Sequence, residues 1–358
     1  MTIHDYPTQY WHTLADDRIQ CDVCPRECQL KPKQNGFCAV RGRNKTGGVV
    51  LHTFNRAIGL CIDPIEKKPL HHFFPGSPVL SFGTAGCNLS CRFCQNWNMS
   101  KSKEIIASSE YAAPEAIAQA AANLNCRSVA YTYNDPIIFI EYAIATAQAC
   151  QTLGIYNVAV TAGYVKPQAR ADLFAVMHAA NVDLKGFSEQ FYRRLCGGHL
   201  APVLDTLMYL KHETRVWLEI TTLLIPDEND TDAELDAMTQ WIADKLGANV
   251  PLHFSAFHPN YKMMNIHATP ITTLQRARNI AMKNGLHYVY TGNVHDPSGN
   301  STWCHNCGKL LIERNWYKLG VWGLNATGCC DQCQMPLPGI FNATPDNWGQ
   351  RRLPVKLT

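Results

Sequence analysis

Seven short apolar runs, with stretches of helical spacing between them, fill the middle of this 358-residue chain and leave few folds open to it. Val79–Phe82, Ser128–Tyr133, Asn157–Thr161, Asn181–Leu184, Val216–Leu224, Leu252–Phe257 and Tyr288–Tyr290 read as strands. Helical patterns begin near Pro114, Pro136, Pro167, Ser188, Pro202, Thr231 and Pro270; a proline suits the first turn because its missing N–H would have no partner there. Strand runs apolar on both faces, separated by amphipathic helices, predict a parallel sheet covered by helices. The expected fold is α/β, a full or partial (β/α) barrel. In such barrels the loops after the strands build the site, so chemistry-bearing residues belong at the strands' C-terminal ends.

Cysteine usage divides the chain into three zones: a Cys-rich region over 1–75, the barrel over 76–292 and a Cys-rich tail over 293–358. With 46% hydrophobic and 17% charged residues the chain is globular. A formal net charge of +3 gives no polyanion-binding signature, so nucleic acid is allowed but not implied. The segment Met1–Pro7 has no basic stretch leading into an apolar one, and no run of about 18 apolar residues occurs, so we expect a cytoplasmic protein that does not span a membrane. Eleven of the 16 cysteines fall into three groups with metal-ligand spacing, the use expected in a reducing compartment. Cys61, Cys126, Cys150, Cys196 and Cys329 remain, and most of these read as buried small hydrophobes.

The first group follows the first strand. Cys87, Cys91 and Cys94 form a Cys-x3-Cys-x2-Cys triplet in the run from Gly83 to Trp97. Three thiolates on one loop can hold three irons of a [4Fe–4S] cube and leave the fourth open, whereas a self-contained cluster normally recruits a fourth cysteine. Half of a zinc site is the competing reading, but Cys-x2-Cys knuckles are the usual zinc unit.

The second group is Cys21, Cys24, Cys28 and Cys38. Four thiolates fill zinc's tetrahedron, the reading we place first, and their order also suits a second Fe–S cluster. The third group is Cys304, Cys307, Cys330 and Cys333, two knuckles of the zinc-ribbon kind. Cys329 could replace Cys330, but only Cys330 keeps the x2 spacing.

Polar residues stand where the barrel rule wants them: Asn134 and Asp135 after the second strand, Thr161 at the end of the third, Asp183 and Lys185 after the fourth. Asp183 and Lys185 could instead form a structural pair at the rim, and Asn134 could simply cap the helix before Pro136. Glu219 lies among apolar residues and needs a partner; His253 sits on a later strand, and His258 is left open.

At this point a resemblance emerges. Asp63–Ser77, the cysteine loop with Gln95, Asn96 and Trp97, then Tyr131–Asn134 and Val182–Phe187 look like the radical S-adenosylmethionine (SAM) component of the AmmeMemoRadiSam system, a group similar to pyruvate formate-lyase activating enzymes; the match runs from Cys21 to Gly339. The resemblance implies that Cys87, Cys91 and Cys94 ligate the cluster, that its open iron chelates SAM and that Phe93 packs near the adenine. Asn134 and Asp135 would stand in the SAM amino-group strand, where the family has Asn-Glu-Pro; the shorter Asp135 departs from that pattern. Thr161, Asp183, Lys185, Glu219 and His253 would contact ribose, carboxylate or substrate.

The implied activity is reductive cleavage of SAM, fed by a low-potential electron donor, to a 5′-deoxyadenosyl radical that abstracts hydrogen from a macromolecule. A glycine of a partner protein comes first, an RNA base second, and a small molecule third. A non-enzymatic metal scaffold comes last.

Overall fold

The computed structural model describes residues 5–45, 47–102 and 109–357, so most of the quoted N-terminal segment, Met1 to His4, lies outside the described residues. All seven expected strands form, as Pro78–Gly83, Ser128–Tyr131, Tyr156–Thr161, Ala179–Asp183, Trp217–Leu224, Leu252–Ala256 and Val289–Gly292. They pair in parallel in chain order. The second strand stops two residues early because Tyr133 takes a positive φ of 70°, which carries the chain out of the sheet.

The barrel is partial. Its first strand pairs on the other side not with the seventh but with Arg56–Pro64, which runs antiparallel, and Leu353–Pro354 adds to that strand's outer edge. Residues of the 1–75 region and of the tail thus join the barrel sheet, and the three zones read from cysteine usage share one set of hydrogen bonds.

Helices Pro114–Asn123, Ile140–Thr152, Pro167–Phe174, Ala201–Glu213, Asp232–Leu246 and Ile271–Lys283 cover the sheet. Thr231 caps one of them by accepting from the Glu234 amide. Near Ser188 the expected helix is a single turn, Glu189–Phe191, running into a π-helical turn, Tyr192–Cys196, that Gly197 ends in the left-handed conformation (φ 65°). Such π turns recur at functional sites.

Strand side chains including Val129, Val158, Val182, Ile220 and Phe254 are fully buried, each contributing roughly 1.5–3 kcal/mol of transfer free energy. The tail has a small core of its own, built on Leu311, Ile312 and Leu324 against Tyr288 and Tyr290 of the barrel. Among the described residues no helix is long and apolar enough to cross a membrane.

Candidate functional site

A cavity of about 320 Å³ opens at the C-terminal ends of the strands, within the size range of small-molecule and cofactor sites. Cys87, Cys91 and Cys94 all line it, with Phe93, Asn134, Asp135, Asp183, Lys185 and His253. Sequence-predicted groups from three strand ends and the cysteine loop therefore converge on one space. Thr161 and Glu219 do not line it.

The cysteine loop is held from several sides. Asn134 Nδ2 donates to Thr84 Oγ1 at 3.1 Å and to the Gly86 carbonyl at 3.0 Å, while its Oδ1 accepts from the Thr84 amide at 3.2 Å. Asn96 Nδ2 donates to the Tyr133 carbonyl at 2.9 Å. From the π turn, the carbonyls of Cys196 and Leu195 accept from the amides of Ser90 and Arg92 at 2.8 and 2.9 Å. Cys196, expected only as a small hydrophobe, is a hydrogen-bonding neighbour of Cys91 and brings that thiol down to about 7. Three thiols on a braced loop facing one cavity are a donor set that fits an Fe–S cluster with one open position.

Asp135 is fully engaged: its Oδ1 accepts from the Ile137 amide at 3.1 Å and from Thr161 Oγ1 at 2.8 Å, and its Oδ2 from the Ala162 amide at 3.0 Å. Thr161 reaches the site only through it. Lys185 Nζ donates to Asp183 Oδ2 at 2.8 Å. Burial works against the Lys185 charge, but Asp183 and the nearby Cys91 and Cys196 keep its pKa well above the usual lysine value. A held cation and its carboxylate partner at the wall can bind a zwitterionic ligand.

Glu219 belongs to the joint beneath the cavity. It is 0% exposed, and four donors converge on it: the amides of His71 and His72, Trp217 Nε1 and His253 Nε2, at 2.6–2.9 Å. Burial works to raise its pKa, but the His253 hydrogen bond and charge, with His72 and the His71 amide, bring it down to about 2. No acceptor is left for a ligand, so the structure gives Glu219 a supporting place and His253 the wall position. His258 is exposed and its Nε2 lies 3.4 Å from the Asn293 carbonyl.

Three buried polar atoms on the cavity-lining residues have no protein partner: Glu66 Oε2, His71 Nδ1 and Thr221 Oγ1. Burial raises the Glu66 carboxyl to about 7, and burial with the nearby Arg314 charge keeps His71 neutral. Unsatisfied buried groups are rare, so these await a polar partner. Sequence reasoning missed their role, although Glu66 and His71 both stand in the Asp63–Ser77 stretch.

Trp316 and Tyr317 of the tail also wall the cavity. They sit in the hairpin between Leu310–Asn315 and Lys318–Trp322. Arg314, wholly buried, welds this hairpin to the segment that leads into the first strand: its Nη2 donates to the His71 carbonyl, and its Nη1 to Thr302 Oγ1 of the tail itself, both at 2.8 Å. The knuckles behind the hairpin bring Cys304, Cys307, Cys330 and Cys333 together with all four sulfurs within 4.8 Å, a set able to hold a metal ion. Cys329 stands outside it. Cys21, Cys24, Cys28 and Cys38 line a second, smaller cavity.

Residues 82–238 match the family model described as the radical SAM superfamily. The chain belongs to that superfamily and is an enzyme of its class, whose cofactors are a [4Fe–4S] cluster and SAM. It is 38% identical over 325 residues to the uncharacterized protein MJ0808 of Methanocaldococcus jannaschii, spanning 90% of this chain and 96% of that one. Among solved structures, a radical SAM methyltransferase from Sphaerobacter thermophilus is 12% identical, covering 86% of this chain and 81% of its own with a TM-score of 0.49. A domain of pyruvate-formate lyase-activating enzyme from Bacteroides vulgatus is 16% identical over 46% of this chain and 99% of its own, with a TM-score of 0.42.

Proposed function

We propose that this enzyme is the activating-enzyme-like radical SAM component of an AmmeMemoRadiSam system, and that it abstracts hydrogen from a macromolecule, a partner protein first. The observation that carries the reading is one cavity that gathers three cysteines, a held ion pair and three buried polar atoms without a protein partner. Cys87, Cys91 and Cys94 would hold the cluster, which when bound and reduced supplies the electron that cleaves SAM. Phe93 would pack on the adenine; Asp183 and Lys185 would pair with SAM's charged groups, with Asn134 holding the cysteine loop and Asp135 tying the second strand's end to Thr161 and the Ala162 amide. Among the same lining residues, His71 Nδ1 and Thr221 Oγ1 would orient a polar backbone, and the Glu66 carboxyl, raised to about 7, could donate or accept.

A macromolecular substrate is supported by the rim. Trp316 on the wall and Trp97 beside Asn96 are 40% and 45% exposed, more apolar area than a ligand confined to the cavity would use. The net charge of +3 leaves an RNA substrate allowed but not implied. In the tail, the Cys304–Cys333 and Cys307–Cys330 sulfurs lie 3.5 and 3.7 Å apart, close to the ~3.8 Å that tetrahedral Zn–S bonds of about 2.3 Å demand, so we infer zinc there.

The test is anaerobic: iron and sulfide reconstitution, dithionite and SAM, with 5′-deoxyadenosine quantified for the wild type and Cys91→Ala. Product from the wild type alone supports SAM cleavage; equal product from both sinks it. A glycyl-radical EPR signal on a co-expressed partner supports the protein substrate, whereas a mass shift in RNA dependent on this enzyme replaces it with the second reading.

A further inference from the structure

Among the described residues, the four N-terminal cysteines are not gathered as tightly as the four of the tail. Three or more ligand atoms mutually within 4.8 Å occur, among the described residues, only in the tail knuckles. Cys21, Cys24, Cys28 and Cys38 are all described, yet their sulfurs stand further apart, around a cavity that they line together with Arg26, Arg41 and Asn88. The Cys87, Cys91 and Cys94 triplet is spread in the same way. A single tetrahedral ion draws its four thiolates to about 3.8 Å from one another, whereas a cube in which each thiolate has its own iron needs them on its outer corners.

The surroundings suit such a group. Arg41 is buried, and while its Nη atoms hold Glu141 at 2.7 and 2.8 Å, its Nε has no partner. Cluster sulfurs are acceptors for an orphan of this kind. The Phe37 amide lies 3.4 Å from Cys28 Sγ, and the amides of Arg26 and Val40 face Cys24 and Cys38; hydrogen bonds to sulfur are a main determinant of Fe–S potential.

The cavity is also built onto the cysteine loop. Asn88, which walls it, follows Cys87 in the chain, and its carbonyl accepts from Arg26 Nε at 2.6 Å. Arg26 Nη2 donates as well to the Gly197 carbonyl that ends the π turn. At Gly86 the approach is so close that a Cβ would stand 2.1 Å from the Cys38 carbonyl oxygen.

We propose that Cys21, Cys24, Cys28 and Cys38 ligate a second, fully cysteine-ligated [4Fe–4S] cluster, packed against the loop that carries the first. Of the two readings that the sequence spacing left open, the proposal takes the cluster rather than zinc. The inference rests on the radical SAM reading only for the comparison with the Cys87 triplet, and it stands or falls separately.

The decisive experiment uses the full chain with Cys87, Cys91 and Cys94 all changed to alanine, reconstituted anaerobically with iron, sulfide and zinc together. Expected are about four irons, about four labile sulfides and one zinc per chain, with an EPR signal after dithionite. Two zincs and no iron would overturn the proposal. Adding Cys24→Ala should remove the iron while zinc and far-UV circular dichroism stay unchanged; iron that survives it would also count against the site. Should the triple variant prove insoluble, the wild-type count decides, about eight irons supporting a second cluster and about four refuting it. Absence of 5′-deoxyadenosine would end the proposed function without touching these counts.

Discussion

The two four-cysteine sets start alike, each with a Cys-x2-Cys pair, and differ in how the second half closes. In the tail a second Cys-x2-Cys knuckle comes back face to face with the first, and four sulfurs crowd within 4.8 Å. In the N-terminal set Cys28 and Cys38 arrive on separate turns and surround a cavity. The two sets share the count and type of ligands and differ in how closely the backbone gathers them, which is the difference on which the proposed ion and the proposed cluster rest. Each set also serves the cavity from its own side, the N-terminal one behind the cysteine loop through Arg26 and the tail at the front through Trp316 and Tyr317.

Removing the tail's metal should have the largest effect. Structural zinc typically supplies about 10–16 kcal/mol of apparent binding free energy, so Cys307→Ala should lose one zinc per chain and amide-exchange protection over the tail strands. Because that hairpin walls the cavity, SAM cleavage should fall at least about tenfold while the N-terminal metal content stays constant. Full protection in Cys307→Ala would break the contrast, since the tail would then fold without its ion.

Next comes the weld. Arg314→Met removes two buried hydrogen bonds donated by a charged group to the His71 carbonyl and Thr302 and should cost about 3 kcal/mol, read as a lower midpoint in denaturant. Zinc should stay bound, which separates attachment of the tail from its folding.

Acid should attack the same joint. Glu219 holds the His71 and His72 amides, and His72 Nδ1 in turn lies 2.6 Å from the tail's Pro338 carbonyl. With its pKa brought from 4.5 to about 2, its contribution, up to about 3 kcal/mol, is present above pH 4.5 and is lost as pH falls towards 2. Glu66, raised to about 7, acts oppositely: its protonated form favours the fold below pH 4.5, and that share is lost as pH rises through 7. Urea midpoints across pH 3–8 for the wild type, Glu219→Gln and Glu66→Gln should therefore show the acid limb flattened in the first variant and the neutral limb in the second. Unchanged limbs would remove both assignments.

The smallest effect is expected from Arg26→Ala, about 1–3 kcal/mol from two lost hydrogen bonds donated by a charged group. Iron and zinc counts should persist, while the cysteine loop, freed from behind, should exchange its amides faster. A loop as protected as in the wild type would show that the N-terminal set merely lies beside it.

Much of the site was legible because barrel chemistry gathers where strands end, and strand ends can be read from hydrophobic pattern. Asn134, Asp183, Lys185 and His253 were found in this way. Glu219 misled for a physical reason: a carboxylate within an apolar strand signals that partners exist, but not whether they are ligand atoms or the chain's own amides. Cys196 and Arg26 were invisible because a π turn and a close approach at Gly86, which no spacing rule encodes, bring them to the loop.

The chain by itself determined the order of strands and helices, the parallel sheet, the Cys87, Cys91 and Cys94 triplet and the existence of two further cysteine sets, because each rests on local periodicity or short spacing. Only the tertiary structure decided that the barrel stays open, with Arg56–Pro64 and Leu353–Pro354 at its edge, that the tail walls the cavity, and how far apart each set of sulfurs is held. Those are distances between segments remote in sequence, set by packing that no single stretch of residues contains.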